Sequence, residues 1–444
     1  MSRPVRLSGW GRHPRLACRL ETPADEAALR QLLDEGGPMI ARGAGRAYGD
    51  SALNAGLTVS TRRLDRMLAF DTEQGSLTAE AGVVLGDIIR AVLPRGWFPM
   101  VTPGTKFPTL GGLIAADVHG KNHHAAGSFG AHIRWIDLMG ADGSVTRLTT
   151  GDDLFAATVG GMGLTGVILR AEIALQRVES AWIRETVVPA GGLDALMESF
   201  EAAADTTYSV AWVDALATGP ALGRGLLLLG EHARRNELDF RGRAAPFRVP
   251  PRGCLRVPMD APSFAVSRPT IWAFNQLYWW KGCRTARGGP HLVDWDRYFY
   301  PLDALSDWNR LYGPRGFVQF QCVLPQDGAR DGLREILEAT ARAGAGFLAV
   351  LKKFGKDQSL FSFPTAGWTL ALDLPARRNA LRLLDRLEAI AVDRGGRFYL
   401  AKDAHLSRDR FDASEPRAEA FRRFRTDHNL SGRFASAQSE RLGL

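Results

Sequence analysis

The stretch "DDLFAATVGGMGLTGVILRAEIAL" (residues 152–175) carries glycines at 161, 163 and 166. That spacing matches the G-x-G-x-x-G turn of dinucleotide-binding units, in which a strand leads in and a helix leads out, so that phosphates meet the helix N-terminus. Here the order is reversed. "DDLFAATVG" has the apolar spacing of a short helix, and "GVILRAEIAL" alternates like a strand. A Rossmann unit is not expected here; the glycines suit a backbone passing close to something flat.

The surrounding chain, residues 1–176, reads as short strands, turns and a few helices. "TPADEAALRQLLDEGG" predicts a helix with Thr22 as N-cap, Pro23 at the first helical position and a stop at Gly36-Gly37. "MIARGAG" predicts a buried strand, "LGDIIRAVLPRG" a short helix ended by Pro94, and "WIDLMGADGSVTRLT" two strands turning at Asp142-Gly143. From about 177 to 395 the pattern is that of an antiparallel sheet backed by helices, with strands in "GFVQFQCVLP", "FLAVLKKFG" and "GWTLALDLP". Residues 396–444, opening on a strand "RFYLAKD", form a C-terminal segment expected to return to the first domain. The fold class is α+β, in two main domains. Within the second lies "HARRNELDFRGRAAPFRVPPRGCLRVP" (232–258), with seven arginines and four prolines, read as a mobile loop, and then an aromatic stretch from "IWAFNQLYWWKGC".

Composition narrows the function classes. Four cysteines far apart, with no C-x-x-C, argue against a disulfide framework or a cysteine zinc site. An excess of 56 Lys and Arg over 48 Asp and Glu suits anionic partners. A nucleic-acid-binding protein is one such reading, but no recognisable DNA or RNA motif is present. With no apolar leader and no membrane-length apolar run, the chain reads as cytoplasmic or peripherally membrane-associated.

Three glycine-rich turns stand in series, "RGAGRAYGD" (42–50), "PGTKFPTLGG" (103–112) and "ADVHGKNHHAAGSFG" (116–130). Successive backbone N–H groups in such turns form anion-binding nests, and three together suit a long ligand carrying a pyrophosphate. The third turn holds His119, His123 and His124, with His132 just beyond. His119 and His123 lie four apart, as in metal-binding helices, and Asp117 is a possible third ligand. Gly120 and Asn122 make a helix doubtful there, and the general-base glutamate of such sites is missing. No metal is expected.

Taken in order, R-G-x-G (42–45), P-G-T…G-G (103–112) and G-x-G-x-x-G-V (161–167) resemble the FAD-binding domain of the vanillyl-alcohol-oxidase-type flavoproteins. "GWGR" (9–12), "DVHGKNHHAAGSFG", "LMGADGSV", "ATVGGMGLTG", "WNRLYGPRGFVQFQ" and "YLAKD" extend the resemblance over nearly the whole chain. Within that superfamily they are similar to the decaprenylphosphoryl-β-D-ribose 2-oxidase family. The resemblance implies a two-lobed FAD-binding domain and a flavoenzyme that oxidises a sugar secondary alcohol, the ribose C2 hydroxyl of a polyprenylphosphoryl ribose. An alternative is a flavin oxidase of a soluble alditol, aldonolactone or other sugar.

The same resemblance implies the contacts. Arg42, Gly43, Ala44, Gly45, Arg46, Ala47, Tyr48, Gly49, Asp50 and Ser51 form the first FAD turn, with the N–H groups of residues 43–46 at the pyrophosphate. Gly104, then Thr109, Leu110, Gly111 and Gly112, then Ala116, Asp117, Val118 and His119 continue along the cofactor. Val167 meets the adenosine end, and Tyr399 closes the site. Members with covalent flavin often carry a histidine after R-G-x-G; Arg46 stands there in this chain, so FAD is expected to be held non-covalently. His119 and Lys402 are the candidate catalytic residues. Tyr48, Gln319, Gln321, Lys352 and Lys402 are the implied substrate contacts; Gln319 and Gln321 alternate on one strand face. Mycobacterial members carry Asn and Cys where this chain has Thr369 and Ala371. The lost thiol implies resistance to inhibitors that trap it, and the lost Asn bears on which sugar or lipid is accepted. Expected partners are a separate NAD(P)H-dependent keto-sugar reductase and, through the arginine-rich loop and aromatic stretch acting as a lid, an anionic membrane surface; nucleic acid is not expected.

Overall fold

A computed structural model describes residues 3–262, 264–356 and 361–444. Alternating burial along Val167–Arg177 makes this strand the spine of a six-stranded antiparallel sheet. Ile133–Met139 and Val145–Thr149 lie on one side of it, and Ser76–Glu80 and Met67–Asp71 on the other. Trp97–Pro99 pairs with its far end. A second lobe is a three-stranded parallel sheet of Leu20–Glu21, Leu57–Ser60 and Met39–Arg42. The protein is thus α+β, with a two-lobed domain of the expected kind.

The first helix runs Glu26–Asp34 and is capped by Asp25, whose carboxylate accepts from the Ala28 N–H. The Thr22 cap is therefore corrected: an Asp one residue before the helix satisfies its free N–H groups, and Pro23 lies outside it.

The chain then builds an eight-stranded sheet. Its order is His291–Asp294, Trp182–Ala190, Gly225–His232, Tyr208–Val213, Ala349–Phe354, Gly367–Pro375, Phe317–Pro325 and Arg397–Phe398. One face carries Val318, Phe320, Leu351, Leu370, Leu372, Ala211 and Leu227, which pack against the helices Leu193–Ala202, Ala329–Ala343 and Arg378–Asp393 in one apolar core. Residues one place along each strand point the other way.

Two expectations are corrected. The last strand stops at Phe398, and residues 399–403 turn instead, with the Lys402 N–H donating to the Tyr399 carbonyl at 2.8 Å. Tyr399 and Lys402 are therefore held on a turn rather than a strand. The arginine-rich segment is not a free loop. It contains the short helix Phe240–Ala244, and Arg252 donates to the carbonyls of Asp296, Tyr300 and Pro301. The aromatic stretch after it forms a 20-residue helix, Arg268–Arg287.

The C-terminal residues pack on the three-stranded lobe. Met39 N–H donates to the Arg433 carbonyl and Ala435 N–H to the Met39 carbonyl. Buried Arg425 donates to the carbonyls of Leu164, Leu430 and Phe434. Burial pulls this guanidinium down to about 10. Arg425→Ala strands three buried carbonyls and is expected to cost roughly 3 kcal/mol. Thermal unfolding followed by circular dichroism should show a melting point several degrees lower.

Candidate active site

The three glycine turns and the free face of the eight-stranded sheet enclose a cavity of about 730 Å³. Gly43 to Tyr48, Ser51, Gly104, Thr109, Gly111, Gly112, Ala116, Val118 and His119 line one wall. Thr109 also caps the helix Leu110–Ala115, its hydroxyl accepting from the Gly112 N–H. A Cβ on Gly43 would collide with that hydroxyl, so only glycine fits against it. Gly45 has φ +63°, a conformation that side chains resist.

Six of the expected contacts stand behind this wall. Arg42 donates to the Ser8 carbonyl at 2.8 Å. Gly49 is pressed against the Asp403 backbone, and Asp50 pairs with Arg441 at 2.8 Å. Leu110 and Val167 point into apolar cores. Gly166 and Ile168, on either side of Val167, face the cavity instead. Asp117 accepts from Ser128, from Ser362 and from the Gly130 N–H, pinning the third turn.

The sheet supplies the opposite wall, and its chemistry is graded. Gln319, Gln321, Thr369, Ala371, Asp373 and Lys352 line one end. In register across the sheet, Gln321 faces Ala371, Ala371 faces Val350, and Val350 faces Trp212. Trp212, Val210, Leu228, Phe274 and Tyr278 make the far end apolar.

His119 sits at the polar end, fully enclosed. Its Nε2 lies 3.0 Å from Gln321 Nε2 and its Nδ1 lies 3.4 Å from Lys352 Nζ. Phe354, Tyr399 and Phe363 surround the ring. Burial, with Lys352 next, pushes its pKa well below the usual value, so it is neutral at pH 7. A lysine ammonium only donates, which makes Nδ1 the acceptor and leaves the ring proton on Nε2; that N–H is satisfied with the Gln321 amide turned so that its oxygen, not its NH2, faces the ring.

Lys402 Nζ rests 3.5 Å from the centre of the Tyr48 ring. Burial pulls its pKa down to about 7, against a smaller upward pull from Asp373. Burial likewise lowers Lys352 to about 8. Arg46 lies against the rings of Trp10 and Phe107, and its Nε has no hydrogen-bond partner.

Sequence reasoning missed Asp373 and Lys121. Asp373 is buried, accepts from Gln319, and receives the Tyr312 hydroxyl at 3.4 Å. Its signal was available: an acid in an apolar strand, in phase with Thr369 and Ala371. Lys121 lines the cavity beside His119 and donates to the Tyr298 carbonyl. The other histidines are structural. His123 accepts from the Gly355 N–H, and His124 and His132 bond the Thr206 and Ala126 carbonyls. Among the described residues the one cluster with metal-ligand geometry is Asp385, Glu388 and His405, and Arg410 bridges both of its carboxylates.

Four cations therefore line the cavity, Arg46, Lys121, Lys352 and Lys402, and none has a carboxylate within ion-pair distance among the described residues. Carboxylates reach them only at longer range, Asp373 at Lys402, Glu185 at Lys121 and Asp303 at Arg46, and such a cluster of buried cations suits an anionic ligand. The unpartnered Arg46 Nε beside the glycine turns suits a pyrophosphate-bearing cofactor.

Comparison with known proteins agrees. Residues 14–149 match the FAD binding domain family. The decaprenylphosphoryl-beta-D-ribose oxidase of Mycolicibacterium smegmatis is 36% identical over 451 residues, covering 99% of this chain and 97% of that protein. An uncharacterised Streptomyces coelicolor protein is 35% identical over 376 residues, 82% of this chain and 100% of its own length. Glycolate oxidase subunit GlcD of Bacillus subtilis is 29% identical over 183 residues, 39% of this chain and 37% of its own. The class is that of FAD-dependent oxidoreductases. Within it, the chain belongs to the decaprenylphosphoryl-ribose oxidase family.

Proposed function

We propose that this protein oxidises the C2 hydroxyl of a polyprenylphosphoryl-β-D-ribose to a ketone. The observation that carries the reading is the graded cavity: buried lysines with no carboxylate in ion-pair reach among the described residues at one end, aromatic and aliphatic side chains at the other. A sugar phosphate fits the first and a prenyl chain the second. A soluble alditol would leave the apolar end unfilled.

The glycine turns, with Arg46, would hold FAD non-covalently. FAD, when bound, supplies the acceptor for the hydrogen leaving the carbon. The remaining work falls to side chains. Lys402, in its amine form, takes the hydroxyl proton. Both His119 nitrogens are already engaged, so His119 acts by holding Gln321 toward the sugar. Gln319, whose Oε1 lacks a partner, meets a sugar hydroxyl while Asp373 fixes its amide. Lys352 meets the phosphate, and Tyr48 carries Lys402. The enclosed wall excludes water and strengthens each of these interactions. The ketone then passes to a separate NAD(P)H-dependent keto-sugar reductase, and substrate arrives from a membrane surface.

Deuterium at ribose C2 tests the reaction. Anaerobic bleaching of the bound flavin should show a primary isotope effect at C2. An effect at another carbon, with none at C2, would overturn the assignment. Gly43→Ala should independently yield protein with little bound FAD after gel filtration, read from its absorbance.

A further inference from the structure

We propose that the outer face of the Arg268–Arg287 helix is a membrane-docking surface that holds the apolar end of the cavity against an anionic lipid bilayer. The inference rests on the lipid-linked substrate read above. The helix sequence, "RPTIWAFNQLYWWKGCRTAR", contains no acidic residue. Ile271, Asn275 and Gly282 anchor it to the sheet; Asn275 donates to Asp214 at 2.6 Å, and Gly282 lies against Leu226. The opposite side is turned outward. There Trp272, Leu277 and Trp280 are 58%, 63% and 59% exposed, large apolar side chains that a soluble surface ordinarily buries. Exposed Lys281, Arg284 and Arg287 stand between them. Tryptophan and leucine interleaved with cations along one helix is the pattern of an interfacial helix, the apolar groups entering the acyl boundary and the cations meeting anionic headgroups.

In the segment that precedes the helix, Phe240, Leu255, Met259 and Phe264 are also exposed, as are Arg241, Arg243 and Arg256. The patch is continuous with the site. Phe274 and Tyr278, on the same helix, line the cavity, and Tyr278 packs on Trp212 with ring centres 4.8 Å apart. Trp212 ends the row of paired residues that begins at Gln321. With strands about 4.8 Å apart, that row spans roughly 14 Å from the sugar end to the helix. A prenyl chain laid along it leaves the protein beside the exposed tryptophans. The tail then stays in the bilayer while the headgroup reaches His119 and Lys402. No helix among the described residues is long and apolar enough to cross a membrane. Docking at the surface is therefore the geometry offered here.

The test uses the FAD-loaded protein without substrate, sedimented with vesicles of phosphatidylcholine alone or mixed with phosphatidylglycerol. Wild type should sediment with the mixed vesicles and remain in solution with the neutral ones. Lys281→Gln/Arg284→Gln/Arg287→Gln should weaken binding to mixed vesicles roughly a hundredfold. Trp272→Ser/Leu277→Ser/Trp280→Ser should abolish it. Both variants change exposed side chains and should keep their flavin spectrum and their bleaching by a short-chain prenylphosphoryl ribose. Wild type that stays in solution with mixed vesicles, or variants that bind as wild type does, would overturn the proposal. So would a wild-type dimer that the tryptophan variant converts to monomer with no change in vesicle binding, since a second copy would then cover this face. Vesicle binding without any bleaching by prenylphosphoryl ribose would sink the substrate reading and leave the docking surface standing.

Discussion

Lys402→Met is expected to slow anaerobic flavin bleaching by about a thousandfold, within the range lost when a positioned proton acceptor is removed. FAD content should be unchanged, because Lys402 meets the cavity from the 399–403 turn and not from the glycine wall. The pH profile makes the test specific. Burial pulls Lys402 down from 10.5 to about 7. Only the amine accepts a proton, so the wild-type rate should climb as pH rises through about 7 and level off above it. The Met variant should lose that limb. Asp373 favours the ammonium, so Asp373→Asn lowers the Lys402 pKa further and moves the limb to lower pH. His119 contributes no limb near neutrality, since burial keeps it uncharged.

Lys352→Met is expected to act on binding instead. An enclosed ammonium facing a phosphate contributes about 2–5 kcal/mol when its partner is present. The substrate KM should rise at least thirtyfold with kcat changed far less. Steady-state kinetics with and without the substrate phosphate separates the two. The variant should cost nothing further on a dephosphorylated analogue. For the wild type, KM should increase as pH rises through about 8, where Lys352 loses its charge, and that dependence should vanish in the Met variant.

The features legible in the sequence share a physical cause, which is that short-range period determines them. Gln319 and Gln321 share a face because strand side chains alternate, and Lys353 turns away to pair with Glu201 for the same reason. The strand after Gly166 and the helix before it follow from local pattern, and that order separated this fold from a Rossmann unit. The misses are tertiary. Asp25 displaces Thr22 as the cap because chain entry, not residue preference, decides where a helix starts. "YLAKD" has strand composition, yet Tyr48 N–H donates to the Ala401 carbonyl and the segment turns beneath the first glycine turn. Val167 and Leu110 are implied by the resemblance alone, and their side chains lie in apolar cores while Gly166, Ile168 and Gly111 beside them line the cavity, because one place along a strand or helix turns a side chain from cavity to core. The phase of Asp373 with Thr369 and Ala371 marks it as inward-facing, but its partners Gln319 and Tyr312 come from other segments and have no local signal. The Arg268–Arg287 helix has aromatic residues nearly all round, which obscures its amphipathic period.

The graded cavity is proposed to accept a phosphorylated sugar on an apolar chain. Its most direct test is one anaerobic panel, in which FAD-loaded protein is mixed with a prenylphosphoryl ribose, ribose 5-phosphate, free ribose, an alditol and an aldonolactone, and flavin absorbance is followed. Rapid bleaching by the prenylphosphoryl ribose alone is expected. Bleaching by an alditol or aldonolactone as fast as by the prenylated sugar would contradict it.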